Sequence, residues 1–137
     1  MGADLDGANL TEAILRGADL STAEISRADL ESADLRGADL NEASLIEANL
    51  QGATVTDSQL VLVDSLAGAT LPDGTRYNGR FNLEGDLVNA EDSAIDVNDP
   101  EQMALWYDVP LPEYRAGQAW ASRNLSHLRP EDEDEIF

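Results

Sequence analysis

Carboxylates are the side chains of this chain with the widest capacity for chemistry. The 137 residues include 28 Asp and Glu against eight arginines, with no lysine, no cysteine and one histidine, His127. Some carboxylates recur at a spacing of twenty residues, as Asp4 and Glu24 do and as Asp19 and Asp39 do. A close pair of carboxylates could act in general acid–base catalysis or bind a divalent cation weakly. Which of these applies depends on the elements that carry the pair.

A five-residue repeat carries many of these carboxylates. From position 5 to position 60 every fifth residue is Leu, Ile or Val, and the residue two places earlier is Ala in every copy but one, at Ser58. A helix places apolar residues about 3.6 positions apart and a strand alternates by two, so a strict period of five fits neither. Four repeats make twenty residues, and a square coil of that length stacks each residue above its equivalent. The Leu and Ala columns then lie inside, and the other three positions face water.

Several copies have the same three residues at their centre. Ala3-Asp4-Leu5, Ala18-Asp19-Leu20 and Ala48-Asn49-Leu50 resemble the A(D/N)LXX motif of the pentapeptide-repeat family. The resemblance extends over residues 3–71. It implies an all-β solenoid, a right-handed quadrilateral β-helix whose coils hydrogen-bond as strands do, with a rise of about 4.8 Å per coil.

The register of the repeat slips once. Ser65 stands where the next central residue is expected after Leu60, whereas Leu66 and Leu71 fit after an insertion of one residue. Fourteen repeats then make about 3.5 coils, a stack roughly 17 Å tall at the strand spacing. Residues 1–71 are therefore expected to form the β-helix.

An irregular connector is predicted after the repeats. Pro72-Asp73-Gly74 is a turn signal that ends the pattern, so residues 72–98 are expected to be a connector with a short strand or a turn of helix near residues 83–92. Segments 71–87 and 98–107 are similar to cyanobacterial members of the family. That resemblance implies a cyanobacterial-type protein but no function.

Residues 99–128 are predicted to form a small α-helical cap of two short helices. The first has an N-cap and a proline at its first position, Asp99-Pro100, and the second begins near Pro112. A cap of this kind covers the open apolar end of a solenoid. The acidic run within residues 129–137 is expected to be a disordered tail.

These elements argue against catalysis. Carboxylates on a flat, exposed face keep ordinary pKa values, and such a face has no pocket that excludes water. The sequence has no loop with the spacing of a calcium site, no Gly-rich phosphate loop and no Ser/His/Asp arrangement. We therefore predict that the chain is not an enzyme and has no metal and no cofactor.

The net charge of −20 at pH 7 directs the functional prediction. It repels nucleic acids and anionic membranes, so direct binding to either is not expected. We predict a protein-interaction module or scaffold that presents flat acidic faces to a protein with a basic surface. The protein is expected to be a monomer or a dimer that forms through its N-terminal coil. The candidate partner-binding residues are Asp4, Glu24, Asp19, Asp39, Asp29, Asp34, Trp106 and Trp120.

Two alternatives stay open from the sequence. Some pentapeptide-repeat proteins bind DNA gyrase as mimics of duplex DNA, and the charge agrees with such mimicry toward gyrase or another nucleic-acid-binding protein. Against it, a 17 Å stack spans only about five base-pair steps of roughly 3.4 Å, and Arg16, Arg27 and Arg36 interrupt the acidic columns. For the tryptophans, the alternative to partner binding is a place in the core of the cap.

The sequence shows no run of 18 or more apolar residues and no secretory signal. A cytoplasmic location is therefore expected. Removal of a leader by processing would instead allow the thylakoid lumen or the periplasm.

Overall fold

The computed structural model describes residues 2–128, and the predicted tail at residues 129–137 lies outside the described residues. Stacked coils of five-residue repeats are followed by a helical part. The four helices are α1 (Asp57–Leu60), α2 (Glu84–Asp92), α3 (Pro100–Tyr107) and α4 (Leu111–Leu128). The prediction of only two helices is therefore wrong. It missed α1, inside the repeat region, and it left α2 undecided between strand and helix.

The repeats stack with a period of four copies. Parallel bridges join residues twenty positions apart, such as Asp4 with Glu24 and Asp19 with Asp39. All of these bridges are isolated single-residue pairs, so residues 2–128 contain no extended strand. The physical reason is that two of every five residues form a turn, which leaves one bridging residue on each face. The coil is therefore a stack of turns and bridges, and its strand content is lower than an all-β fold suggests.

Each turn places one residue in the left-handed region. In the first turn the Ala8 N–H donates to the Leu5 carbonyl at 2.9 Å, and Gly7 between them has a φ of 71°. Glycine adopts this conformation without strain, whereas a side chain there costs free energy. Non-glycine residues nevertheless occupy the same position in several turns: Glu12, Thr22, Arg27, Ser32, Glu42 and Glu47.

This geometry predicts opposite effects for two substitutions. Thr22 is β-branched with a φ of 56°, so Thr22→Gly is expected to raise the free energy of unfolding by about 0.5–1 kcal/mol. Gly17 has a φ of 68° and open space where a Cβ would lie, so Gly17→Ala is expected to lower it by about 1 kcal/mol through the backbone alone. Urea denaturation of both variants measures the two changes. A loss of stability in Thr22→Gly would contradict the claim that the positive φ of Thr22 costs free energy.

The interior of the coils consists of Leu and Ala columns. Leu50 and Ala43 are both fully buried, and so are most equivalent residues from the second coil onward. In the first coil Leu5, Leu10 and Leu15 are only partly buried, because none of the coils within residues 2–128 packs against their outer side. The apolar core therefore begins at the second coil and continues into the helical part.

The predicted register slip lies at α1. Bridges below it join residues twenty apart, as Asp34 and Thr54 do, whereas Ser44 pairs with Ser65, twenty-one residues away. Thr56 and Gln59 form a capping box at the start of α1, and the Gln59 amide donates to the Leu35 carbonyl at 2.8 Å. The inserted residue is thus absorbed by one turn of helix that is attached to the coil beneath it.

Asp86 closes the last coil on one side. In regular coils a central N–H donates to a carbonyl of the next coil, but no coil follows Leu66. The Asp86 carboxylate takes that place and accepts the N–H groups of Leu66 and Ala67, each at 3.1 Å. Asp86 is completely buried, and this burial raises its pKa to about 7. Helix α2 therefore caps the solenoid through a buried carboxyl group.

Aromatic residues fill the space between the last coil and the helices. Tyr77, Phe81 and Tyr107 are fully buried, with Tyr77 5.7 Å from Phe81 and 5.5 Å from Tyr107 between ring centroids. The Phe81 N–H also donates to the Tyr77 hydroxyl at 3.0 Å. Helices α3 and α4 pack against each other over this cluster, and α4 runs from Leu111 to Leu128, longer than the sequence predicts.

Candidate interaction surface

Most of the predicted partner-binding carboxylates have a structural role in the turns. Asp19 accepts the Ser21 N–H at 3.1 Å, and Asp39 accepts the Asn41 N–H at 3.0 Å. Asp4 and Asp29 make the same bond two residues ahead. A side-chain oxygen in this position satisfies a turn N–H that has no backbone partner. The Ser21 hydroxyl and then the Ser21 N–H also lower the pKa of Asp19, so this carboxylate stays charged.

Some of these carboxylates are neutralised by arginine. Asp34 lies between Arg36, at 2.8 Å, and Arg16, at 2.5 Å, and these two guanidinium groups hold the pKa of Asp34 well below its usual range. Asp6 pairs with Arg27 at 2.5 Å. Asp34 and Asp6 are therefore not free anionic sites.

Other carboxylates form a cluster without arginine, which we call the acidic edge: Glu24, Glu42, Asp64 and Glu84. Burial and then repulsion from Glu42, Glu84 and Glu24 raise the pKa of Asp64, which shows that the three charges act on this carboxylate. Within residues 2–128 no arginine forms an ion pair with a member of the edge. The edge is therefore a cluster of carboxylates that no described arginine neutralises.

The acidic edge continues along the coils. Glu24 is bridged to Asp4 in the coil below, and Asp39, bridged to Asp19, precedes Glu42 by three residues. The structure thus brings four of the predicted residues next to one line of charge. It does not bring Asp29 there, because Asp29 lies on another face, where the Asn49 amide donates to it at 3.3 Å.

A ladder of hydroxyl groups holds the edge in place. The Ser26 hydroxyl donates to the Glu24 carboxylate and lies 3.0 Å from the Ser44 hydroxyl, which in turn lies 3.1 Å from that of Ser65. Ser26 and Ser65 are buried. Because successive coils are linked through these hydroxyls, the carboxylates above them are presented on a rigid support.

The structure separates the two tryptophans. Trp120 packs edge-on against Phe81 with ring centroids 5.5 Å apart, and the Arg80 guanidinium lies 5.2 Å from its ring. Trp106 meets Tyr107 edge-on at 5.0 Å and stays partly exposed. Trp120 therefore contributes to the cap, whereas Trp106 lies beside an opening in the surface.

This opening is a groove of about 330 Å³ between the last two coils and the helices, which we call the α3 groove. The side chains that matter for recognition are Glu47, Arg76, Asn89, Trp106 and Asp108. Sequence reasoning missed all of them except Trp106. The available signal was weak, because Glu47 is one of many turn residues and Asp108 merely follows a helix.

No group of three or more His, Asp or Glu residues within residues 2–128 has the arrangement of a metal site. The buried hydroxyl of Tyr107 has no hydrogen-bond partner in the same part of the chain. None of the helices between residues 2 and 128 combines the length and the apolar character needed to cross a bilayer.

Comparison with known proteins confirms the repeat. The family model of pentapeptide repeats matches residues 2–26 and 23–60 in eight copies. The repeat region of this chain, residues 2–60, therefore belongs to the pentapeptide-repeat family. No curated protein matches the chain.

Solved structures of pentapeptide-repeat proteins are similar to parts of the chain. One of them is HetL from the cyanobacterium Nostoc sp. strain PCC 7120, which is described as involved in heterocyst differentiation regulation. HetL is 43% identical to this chain, and the match covers 53% of this chain and 32% of HetL, with a TM-score of 0.35. The chain thus spans about a third of the length of HetL. A protein from the Arabidopsis thaliana thylakoid lumen is 24% identical over 77% of this chain and 72% of its own, with a TM-score of 0.40. The pentapeptide-repeat protein alr5209 from Nostoc PCC 7120 is 33% identical. This match covers 52% of the chain and 62% of alr5209, with a TM-score of 0.29.

Proposed function

We propose that this chain is a non-enzymatic protein-interaction module whose acidic edge binds a protein with a basic surface. The observation that carries the proposal is the clustering of carboxylates around Asp64, on which Glu42, Glu84 and Glu24 act. Arginines neutralise Asp34 and Asp6, whereas Glu24, Glu42 and Asp64 have no cationic partner within residues 2–128. A surface of one sign attracts a partner of the other sign and accelerates its association.

A cationic partner would relieve the repulsion within the edge. Burial and the charges of Glu42 and Glu84 raise the pKa of Asp64, so this carboxylate is less stable as an anion than an isolated one. Positive charge nearby lowers such a pKa and favours the ionised form. The hydroxyl ladder adds rigidity, so little conformational entropy is lost when the partner binds.

The proposal also includes the detailed fold, the oligomeric state and the location of the protein. We expect the stacked coils to form a right-handed quadrilateral β-helix, as the family resemblance implies, and the protein to be a monomer or a dimer through its N-terminal coil. We also expect a cytoplasmic location. Mimicry of duplex DNA toward gyrase remains the alternative, but the ion pairs of Arg16, Arg27 and Arg36 count against it, because they interrupt the negative surface.

Two charge variants of equal net charge test the proposal. The edge variant changes four residues, Glu24→Gln, Glu42→Gln, Asp64→Asn and Glu84→Gln. The control variant changes four exposed carboxylates elsewhere, Glu12→Gln, Glu31→Gln, Asp92→Asn and Glu101→Gln. Each is used to capture proteins from a lysate of the source organism at low and at high salt, with quantification by mass spectrometry.

We expect the wild type and the control variant to retain the same salt-sensitive basic protein, and the edge variant to lose about nine-tenths of it. Equal retention by the edge and control variants would overturn the assignment of the edge. Circular dichroism of both variants checks that the repeat region stays folded.

A further inference from the structure

The α3 groove has the features of a binding site that neither the repeat nor the acidic edge explains. It lies between the turn of Glu47 on one side and the end of α3 on the other. Glu42 and Glu47 occupy consecutive turns of one coil, so the acidic edge and the groove lie at the two ends of one face. The groove is therefore a separate place on the surface.

Two carboxylates flank the groove without a close partner. Glu47 makes no side-chain hydrogen bond or ion pair with any residue in the described range 2–128. Asp108 contacts only the Arg76 guanidinium, at 4.0 Å, and its side chain is 83% exposed. Both residues have φ values near 60° for local reasons, since Glu47 occupies the left-handed position of its repeat turn and Asp108 is the C-cap of α3.

The end of α3 adds negative potential to the same place. The last carbonyl groups of a helix carry partial negative charge, which a cation stabilises. Helix α3 has no basic residue in its last turn, and its C-cap is the carboxylate Asp108. The end of α3 therefore adds to the negative charge of Asp108 beside the groove, which favours a cation over an anion.

Trp106 supplies the third element of recognition. A cation over an indole ring gains about 0.5–2 kcal/mol. Trp120 already has Arg80 over its ring, whereas no described cation lies over Trp106. The groove is thus lined by a partly exposed indole ring beside Glu47, which has no ion-pair partner in the described residues, and Asp108, which has only the distant Arg76 guanidinium.

We infer that the α3 groove binds the cationic side chain, a lysine ammonium or an arginine guanidinium, of a partner protein. The ammonium or guanidinium group lies between Glu47 and Asp108, and its aliphatic stem packs on Trp106. The inference rests on the proposed function in taking the occupant from a basic protein. It adds a specific pocket to the general attraction of the acidic edge.

The effect of removing Arg76 distinguishes a cationic occupant of the groove from an anionic one. It lies at the groove 4.0 Å from Asp108, so it competes with an incoming cation for the same carboxylate. Removal of Arg76 should therefore strengthen the binding of a cation. If the natural occupant were an anion, Arg76 would be its main contact and the same change would weaken binding.

The experiment uses small probes and the full chain labelled with ¹⁵N. N-acetylarginine amide is titrated in an NMR experiment that resolves the indole N–H signals of Trp106 and Trp120, with N-acetylcitrulline amide as the uncharged probe. Trp106→Phe assigns the two signals. The variants are Glu47→Gln, Asp108→Asn and Arg76→Gln, and the control is Glu12→Gln, because Glu12 occupies the same position of a turn on another face.

We expect the arginine probe to shift the Trp106 signal with a Kd in the millimolar range and the citrulline probe to leave it unchanged. Glu47→Gln and Asp108→Asn should each raise that Kd about threefold, Arg76→Gln should lower it, and Glu12→Gln should not change it. Absence of a Trp106 shift, an equal effect of Glu12→Gln, or weaker binding in Arg76→Gln would each overturn the inference. The edge variant separates this result from the proposed function, because it should bind the probe as the wild type does.

Discussion

Asp86→Ala is expected to lower the free energy of unfolding by about 3 kcal/mol. The substitution leaves the buried N–H groups of Leu66 and Ala67 without an acceptor, and each unsatisfied group costs roughly 1–3 kcal/mol. Urea denaturation at pH 5 measures the change. The exposed residue Asp92 of the same helix provides the control, since Asp92→Ala should change stability by less than about 0.5 kcal/mol. Equal effects of the two changes would show that α2 does not cap the coil through Asp86.

The same carboxyl group predicts a dependence of stability on pH. The pKa of Asp86 is about 7 in the folded chain and near 3.8 when the chain is unfolded. The folded state therefore binds the extra proton between these values. The contribution of Asp86 to stability is fully present below about pH 4 and is lost as the pH rises toward 7, by at most about 1.4 kcal/mol per pH unit. Asp64, whose pKa is also raised, adds to the same trend.

Asp86→Asn should remove most of this slope. The Asp86 oxygen Oδ1 lies 3.3 Å from the Leu66 nitrogen and 3.1 Å from the Ala67 nitrogen, so one neutral oxygen can accept both N–H groups. The amide oxygen of asparagine can do the same at every pH. Thermal unfolding between pH 4 and pH 8 compares the two chains. A slope in Asp86→Asn as steep as that of the wild type would place the titrating group elsewhere.

Leu50→Ala is expected to lower the free energy of unfolding by about 2–5 kcal/mol. Leu50 is fully buried, in the same column of the coil as Leu30 and Leu71, and the shorter side chain leaves a cavity between rigid turns. Ile14 occupies an outward position and is 79% exposed, so Ile14→Ala should change stability by less than about 0.5 kcal/mol. Chemical denaturation of both variants distinguishes a packed interior from a loose one, and similar losses would contradict the assignment of inside and outside.

The five-residue period is what makes the repeat region predictable. It identifies the inside positions, the spacing of Asp4 from Glu24 and the slip that pairs Ser44 with Ser65. These features are predictable because each depends on one repeat and its equivalent in the next coil. The extent of extended strand is less predictable, since a turn in every repeat leaves only isolated bridges.

Features that depend on contacts between distant segments could not be predicted from the sequence. Helix α1 has a capping-box signature at Thr56 and Gln59, but the repeat pattern obscures it. The sequence does not show that Asp86 is buried, because its burial depends on the packing of α2 against the last coil. Likewise, the sequence predicts that Arg16 and Arg36 interrupt the acidic columns, but not that they neutralise Asp34.

The central claim is that the acidic edge, and not net charge in general, binds the partner. Calorimetric titration of the captured basic protein with the wild type, the edge variant and the control variant tests it most directly. We predict that the edge variant raises the Kd about tenfold or more and reduces the salt dependence of binding, while the control variant leaves both unchanged. Equal weakening by the two variants would contradict the claim, because binding would then depend only on the total charge of the chain.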